Sequence, residues 1–267
     1  MYPYDTVIFD LDGTLLNTLQ DLADSTNYAL ALQGMPARTL EEVRRFVGNG
    51  VGRLIHRAVP EGTPEEVEAR VLADFRAHYT LNMEHKTAPY PGVLPLLDRL
   101  GQAGIRTAVV SNKFDSAVKG LCHAYFGARI PVAIGESQGV ARKPAPDTVF
   151  RALEELGAGT GRAVYVGDSD VDIQTAANAG LPCLSVSWGF RDAEFLTAHG
   201  AQRIVDGGNG IGRAFQENHG KAILRRENLG RGGADHTPPG IGHAPGQRVH
   251  ERRLAPGPHK RGHPGKG

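Results

Sequence analysis

Five short runs rich in β-branched and other apolar residues, Thr6–Phe9, Arg106–Val110, Val132–Ile134, Ala163–Val166 and Leu184–Val186, alternate with stretches of helical character. That alternation restricts the chain more than any other feature. Strands separated by helices share one sheet through crossover connections, which builds a parallel sheet with helices on both faces, an α/β fold. Helices are expected over Asp115–Ala124, Asp147–Leu156 and Asp170–Ala179. Gly157 and Gly180 stand where the last two need a C-terminal cap. In open sheets of this kind ligands bind beyond the carboxyl ends of the strands.

The first run ends in Asp10-Leu11-Asp12-Gly13-Thr14. Side chains on an extended chain alternate faces, so two carboxylates two positions apart point the same way. Like charges that close repel unless a cation sits between them or one keeps its proton, which suggests a hard metal or an acid/base pair. Gly13 permits a tight turn, and Thr14 offers a hydroxyl and an N–H to an anion. An Asp-Gly turn closing a strand accounts for the same residues. Three further segments follow strand-like runs: Ser111-Asn112-Lys113, Arg142-Lys143-Pro144 and Gly167-Asp168-Ser169-Asp170-Val171-Asp172. Each alone has an ordinary explanation as a helix cap or a solvated charge. Four in order, each after a strand, point to phosphoryl chemistry.

As an ordered set, Asp10-Leu11-Asp12-Gly13-Thr14, Ser111-Asn112, Lys143-Pro144 and Gly167-Asp168-Ser169 with Asp172 resemble the motifs of the haloacid dehalogenase superfamily, in its phosphoglycolate-phosphatase-like group. The similarity runs from Val7 to about Asp206, after which the sequence departs from the family. The resemblance implies a Rossmann-like core over residues 1–17 and 87–206. Between its two parts, residues 18–86 show no convincing strand but several amphipathic patterns, Leu19/Leu22/Ala23, Val43/Phe46/Val47, Leu54/Ile55/Ala58 and Val67/Val71/Leu72/Phe75. This block reads as an inserted helical domain and resembles the superfamily's cap, which closes over the site and selects the substrate.

The same resemblance implies a Mg²⁺-dependent phosphatase acting on a small phosphate monoester, with 2-phosphoglycolate the leading candidate. Asp10 would be the nucleophile that forms an aspartyl-phosphate. Asp12 would act as acid and then base, and Lys143 would neutralise the phosphate and Asp10. Thr14, Ser111 and Asn112 would hold the phosphoryl group. Mg²⁺ would take Asp10, the backbone carbonyl of Asp12, and Asp168, while Asp172 orients the metal's waters or Lys143.

Asp12 separates the chain from pump-like relatives with Thr at that position and from dehalogenases, which lack the acid. The absence of any lysine from Met1 to His85 disfavours a phosphonate-cleaving relative that uses a cap lysine. A sugar-phosphate mutase is the nearest enzymatic alternative, followed by another small-metabolite phosphatase. A catalytically inactive binding protein is the alternative of a different class. In the cap, Phe46-Val47-Gly48-Asn49-Gly50-Val51-Gly52-Arg53 resembles a glycine-rich substrate loop, in which Arg53 meets a substrate carboxylate. A helix-joining turn with Arg53 in solvent explains it equally well.

Charge bears on partners. The formal charge is +1, but residues 221–267 hold ten Lys/Arg against three Asp/Glu, so the chain before them carries twenty basic and twenty-six acidic residues, a net −6. An acidic core argues against a nucleic-acid partner. Residues 207–267 read as a disordered basic tail, since 221–267 combine ten Gly and six Pro with no aromatic residue. Cys122 and Cys183 match no metal or disulfide pattern and are expected as small buried residues. Neither a signal-peptide pattern nor a membrane-length apolar run is evident, so a cytoplasmic enzyme without a membrane partner, monomeric or homodimeric, is expected.

Overall fold

The computed structural model describes residues 3–207 together with Gly210 and Ile211. The chain begins with β1 (Thr6–Phe9) and β2 (Leu16–Asn17), then passes through α1 (Leu19–Leu32), α2 (Leu40–Phe46), α3 (Gly50–Ala58) and α4 (Glu65–Asn82). It returns through β3 (Ala88–Pro89) to α5 (Val93–Gln102), β4 (Arg106–Phe114), α6 (Asp115–Tyr125), β5 (Val132–Glu136) and α7 (Asp147–Glu155). The last part comprises β6 (Ala163–Gly167), α8 (Asp170–Asn178), β7 (Cys183–Val186), α9 (Ala193–Ala198) and β8 (Ile204–Val205).

Six strands form one sheet in the order β5-β4-β1-β6-β7-β8, with every neighbouring pair parallel. The fold is the α/β, Rossmann-like arrangement expected from the alternation of strands and helices. Period two along β1 divides the core: Val7 and Phe9 pack with Leu96, Leu97 and Leu121 from α5 and α6, whereas Ile8 packs with Val149, Leu153 and Ala176 from α7 and α8. Each large apolar side chain so buried contributes about 1.5–3 kcal/mol relative to exposure. The strand order reverses at β1, which is flanked by β4 and β6. Its carboxyl end is therefore the crevice that such sheets offer to ligands.

Two features differ from the expected elements. β4 continues four residues beyond Val110, with a shift of register against β5 between Val110 and Phe114. Ser111, Asn112 and Lys113 thus belong to an irregular strand end rather than to a loop. The two-residue strands β2, β3 and β8 were not expected, because they are too short to carry a periodic pattern.

α1–α4 enclose a separate apolar cluster of Leu19, Leu22, Leu30, Val43, Ile55, Val71, Phe75 and Tyr79, which reaches the sheet part through Ala117 and Phe190. Thr39 and Glu42 form a capping box that starts α2. The chain leaves and re-enters the sheet part side by side, since β2 and β3 pair antiparallel as Leu16↔Pro89 and Asn17↔Ala88. Asp21 pins this crossing. Its buried carboxylate accepts from the backbone N–H of Lys86 at 2.9 Å, and from the N–H and hydroxyl of Thr87 at 2.8 Å each.

Ile211 is buried in the sheet's apolar cluster beside Val205, so packing continues past 206. Apart from Gly207, Gly210 and Ile211, the tail reading lies outside the described residues. Cys122 is buried as expected, while Cys183 is only partly so. No described helix is long and apolar enough to cross a membrane.

Candidate active site

Phe9 pairs with Val109 of β4 and Val166 of β6, so Asp10 emerges one residue past β1, level with the end of β6 and with the point where β4 becomes irregular. Its backbone N–H still donates to Val166, at 2.9 Å. From β6 come Asp168 and, one turn into α8, Asp172. From the segment before α7 comes Lys143. Its Nζ donates to Asp10 Oδ1 at 2.7 Å and to Asp172 Oδ1 at 2.8 Å, and lies 3.1 Å from the Tyr165 hydroxyl. Carboxylate oxygens of Asp10, Asp168 and Asp172 lie within 4.8 Å of one another, and all three residues are buried.

Concentrating charge this way shifts the protonation of each group. Burial, reinforced by the charges of Asp172 and Asp168, raises the Asp10 carboxyl well above its usual range against the pull of Lys143. For Asp168, burial and then the charge of Asp172 push the value up to about 7, against hydrogen bonds from the Phe190 N–H and the Thr14 hydroxyl. Burial by itself would lower the Lys143 ammonium, but Asp10 and Asp172 outweigh it and hold it well above the usual lysine range. One lysine does not offset three buried carboxylates.

That deficit is the structural argument for a cation. The donor set is all oxygen, which suits a hard ion such as Mg²⁺. Asp172 is poorly placed as a ligand because both its oxygens are engaged, Oδ1 by Lys143 and the Tyr165 hydroxyl, Oδ2 by the Ser169 N–H at 3.1 Å and hydroxyl at 2.6 Å. Asp168 accepts one bond on each oxygen, from Thr14 Oγ1 at 3.2 Å and Phe190 N–H at 2.7 Å, leaving lone pairs on both. Gly13 approaches the Asp168 carboxylate so closely that a side chain there would collide with it, and its φ of 86° is itself one that L side chains rarely adopt.

Asp12 has a separate counter-charge. Lys113 Nζ donates to both its oxygens, at 2.9 and 3.0 Å, and Thr18 Oγ1 donates to Oδ1 at 2.6 Å. The lysine is almost fully buried, with Nζ 4.6 Å from the ring centroid of Tyr79 on α4. Burial would lower this ammonium too, yet the charge of Asp12 raises it above the usual lysine range, so it stays a cation.

The cleft above these groups is lined by Asp10, Asp12, Ser111, Asn112, Lys113, Lys143 and Asp168 from the sheet side, with Val47, Gly48, Gly50, Val51 and Leu54 from the helical side. Ser111 Oγ accepts from the Lys113 N–H at 3.2 Å, which leaves its own proton available. Asn112 Nδ2 donates to the Lys143 carbonyl at 3.0 Å, and its Oδ1 is buried with no partner among the described residues, so one of the two amide donors expected to serve a phosphoryl oxygen is taken. Thr14 is fully buried with its hydroxyl on Asp168 and does not line the cleft. Arg53 lies exposed on α3, outside the lining. Gly50, at φ 79°, opens α3 with its Cα facing the Asn112 carbonyl, a close approach that a side chain would crowd.

Two cleft residues escaped the sequence reading of roles. Lys113 stands two positions after Ser111, and strand periodicity would have placed it on the same side. Arg191 follows β7 by five residues. Applied to that strand's carboxyl end, the rule used for the other four segments would have found it.

Residues 7–186 match the haloacid dehalogenase-like hydrolase family. The chain belongs to that family. A phosphoglycolate phosphatase from Mesorhizobium japonicum is 38% identical over 191 residues, 70% of this chain and 84% of that one. A solved structure from Lactobacillus delbrueckii subsp. bulgaricus, provisionally named a phosphoglycolate phosphatase, superposes with a TM-score of 0.77 at 36% identity, covering 80% of this chain and 99% of that one. The structure of CbbY from Rhodobacter sphaeroides in complex with phosphate superposes at 0.63 with 28% identity, covering 76% and 93%. Within the family the chain is phosphoglycolate-phosphatase-like, and its relatives place it among the phosphoric monoester hydrolases.

Proposed function

We propose that the chain hydrolyses a small phosphate monoester, 2-phosphoglycolate, through an aspartyl-phosphate on Asp10, with Mg²⁺ held by Asp10, Asp168 and the Asp12 carbonyl. The observation that carries this is the buried cluster of Asp10, Asp168 and Asp172 around Lys143, with Asp12 held apart by its own lysine. The substrate comes from the relatives named for it.

An Asp10 carboxylate oxygen attacks phosphorus as the bond to the leaving oxygen breaks, and Asp12, loaded with a proton from solvent in exchange for one of its two Lys113 contacts, gives that oxygen the proton. A water then attacks the same phosphorus and yields a proton to Asp12, the bond to Asp10 breaks, and inorganic phosphate departs with both aspartates restored. Lys143 offsets negative charge at Asp10 and the phosphoryl group, and Ser111 donates its hydroxyl proton to a phosphoryl oxygen. Asp172 holds Lys143 in line. Lys113 and Thr18 direct the Asp12 carboxylate. Bound Mg²⁺ supplies charge stabilisation for the phosphoryl oxygens and lets Asp10 and Asp168 ionise together.

The test is release of phosphate from 2-phosphoglycolate with Mg²⁺ and with excess chelator. Turnover that needs the ion is expected. Full turnover in chelator would remove the metal from the reading, and no turnover under either condition would remove the substrate.

A further inference from the structure

We propose that Arg191 is the residue that recognises the substrate's second anionic group, the carboxylate, and so sets specificity within the site proposed above. The inference rests on that reading of the substrate.

Among the described residues three cations line the cleft: Lys113, Lys143 and Arg191. The first two face carboxylates of the protein at 2.7–3.0 Å. Arg191 does not. Its Nη1 donates to the Arg44 carbonyl at 3.0 Å, and Nη2 donates to the carbonyls of Val47 at 2.9 Å and Arg45 at 3.4 Å. These are neutral acceptors at the C-terminal end of α2. They orient the guanidinium without cancelling its charge, and of its five N–H donors two remain.

The setting suits a small anion. Gly48 and Arg191 both line the cleft, and the two donors that remain, one on Nε and one on Nη1, are taken by no group among the described residues. The ring of Phe195 supports it, 5.4 Å from the guanidinium carbon. The neighbouring residue, Phe190, donates its N–H to Asp168, which ties the arginine's backbone to the carboxylate end of the site. A substrate bearing phosphate at one end and carboxylate at the other would leave the carboxylate to this cation, because both lysines already have protein partners. A planar guanidinium gripping a carboxylate is among the stronger polar contacts. Arg53 and Arg142 are exposed and do not line the cleft.

The experiment compares kcat/KM for 2-phosphoglycolate with that for ethyl phosphate, an ester of similar size lacking the carboxylate, in the wild type, Arg191→Met and Arg191→Lys. The wild type is expected to prefer 2-phosphoglycolate, and Arg191→Met to lower that preference by about 10–100-fold, mainly through KM. Arg191→Lys should restore part of it, and should retain the fold if the methionine variant does not. An arginine that only straps α2 to the sheet side would lower both substrates together. An unchanged preference in both variants therefore overturns the role of Arg191 while leaving the substrate standing. A wild type indifferent to the carboxylate overturns the substrate reading, and this proposal with it.

Discussion

At the sheet edge Asp10, Asp168 and Asp172 are no more than 7% exposed, and a buried lysine and a set of fixed donors answer their charges only in part. Across the cleft, α3 and the turn before it offer glycine backbone and apolar side chains, Arg53 is exposed to solvent, and a cation, Arg191, is lent by the sheet side. The first region is a network in which moving one group disturbs three others. The second can change one residue at a time. Chemistry that requires preorganised charge belongs in the first, and selection among substrates is more easily adjusted in the second.

The severest way to break that contrast is Asp10→Asn. Turnover should fall by roughly 10⁴-fold or more, as for other residues that act as a unit with their neighbours. Stability should not follow. Asp10 is raised in the folded chain, which therefore holds the proton more tightly than the unfolded chain does. The group's contribution to stability is present at acid pH and lost as pH rises from the usual carboxylate range. Removing its charge should leave the melting temperature at pH 8, without added metal, no lower than that of the wild type. A large drop would mean that the cluster holds the fold together rather than serving the reaction.

Lys113→Met probes the joint between the two regions, because Lys113 touches both Asp12 and the Tyr79 ring. If it positions the acid, kcat/KM for an alkyl phosphate should fall about 100-fold, the lower range of acid–base contributions, and by less than about tenfold for p-nitrophenyl phosphate, whose leaving group needs no proton. Equal losses on both esters would reduce Lys113 to a packing residue.

The smallest effect is expected from Arg53→Ala. An exposed side chain away from the cleft should change 2-phosphoglycolate turnover by about twofold at most, in keeping with surface substitutions of about 0.5 kcal/mol. A substrate-specific loss would return Arg53 to the site and show that α3 moves toward the substrate.

Much of the fold was legible because strands and helices carry local periodicity. Thr6–Phe9, the helix starts at Asp115, Asp147 and Asp170, and the helical block after the first strand all follow from neighbouring residues. The polar groups at strand ends were legible for the same reason, since a parallel sheet brings its carboxyl ends to one edge. What each group touches was not. Lys113 meets Asp12 across 101 positions and Lys143 meets Asp10 across 133, separations that leave no mark in a local pattern. Thr14 and the Asn112 amide looked like free phosphate donors, and only packing turned them onto Asp168 and the Lys143 carbonyl. The sequence by itself determined which chemistry-bearing residues reach the sheet edge, because strand order along the chain and period two decide that. The tertiary structure alone decided which lysine answers which carboxylate and which arginine faces the cleft, because burial and distance between remote segments decide where charge is balanced and where it is left open.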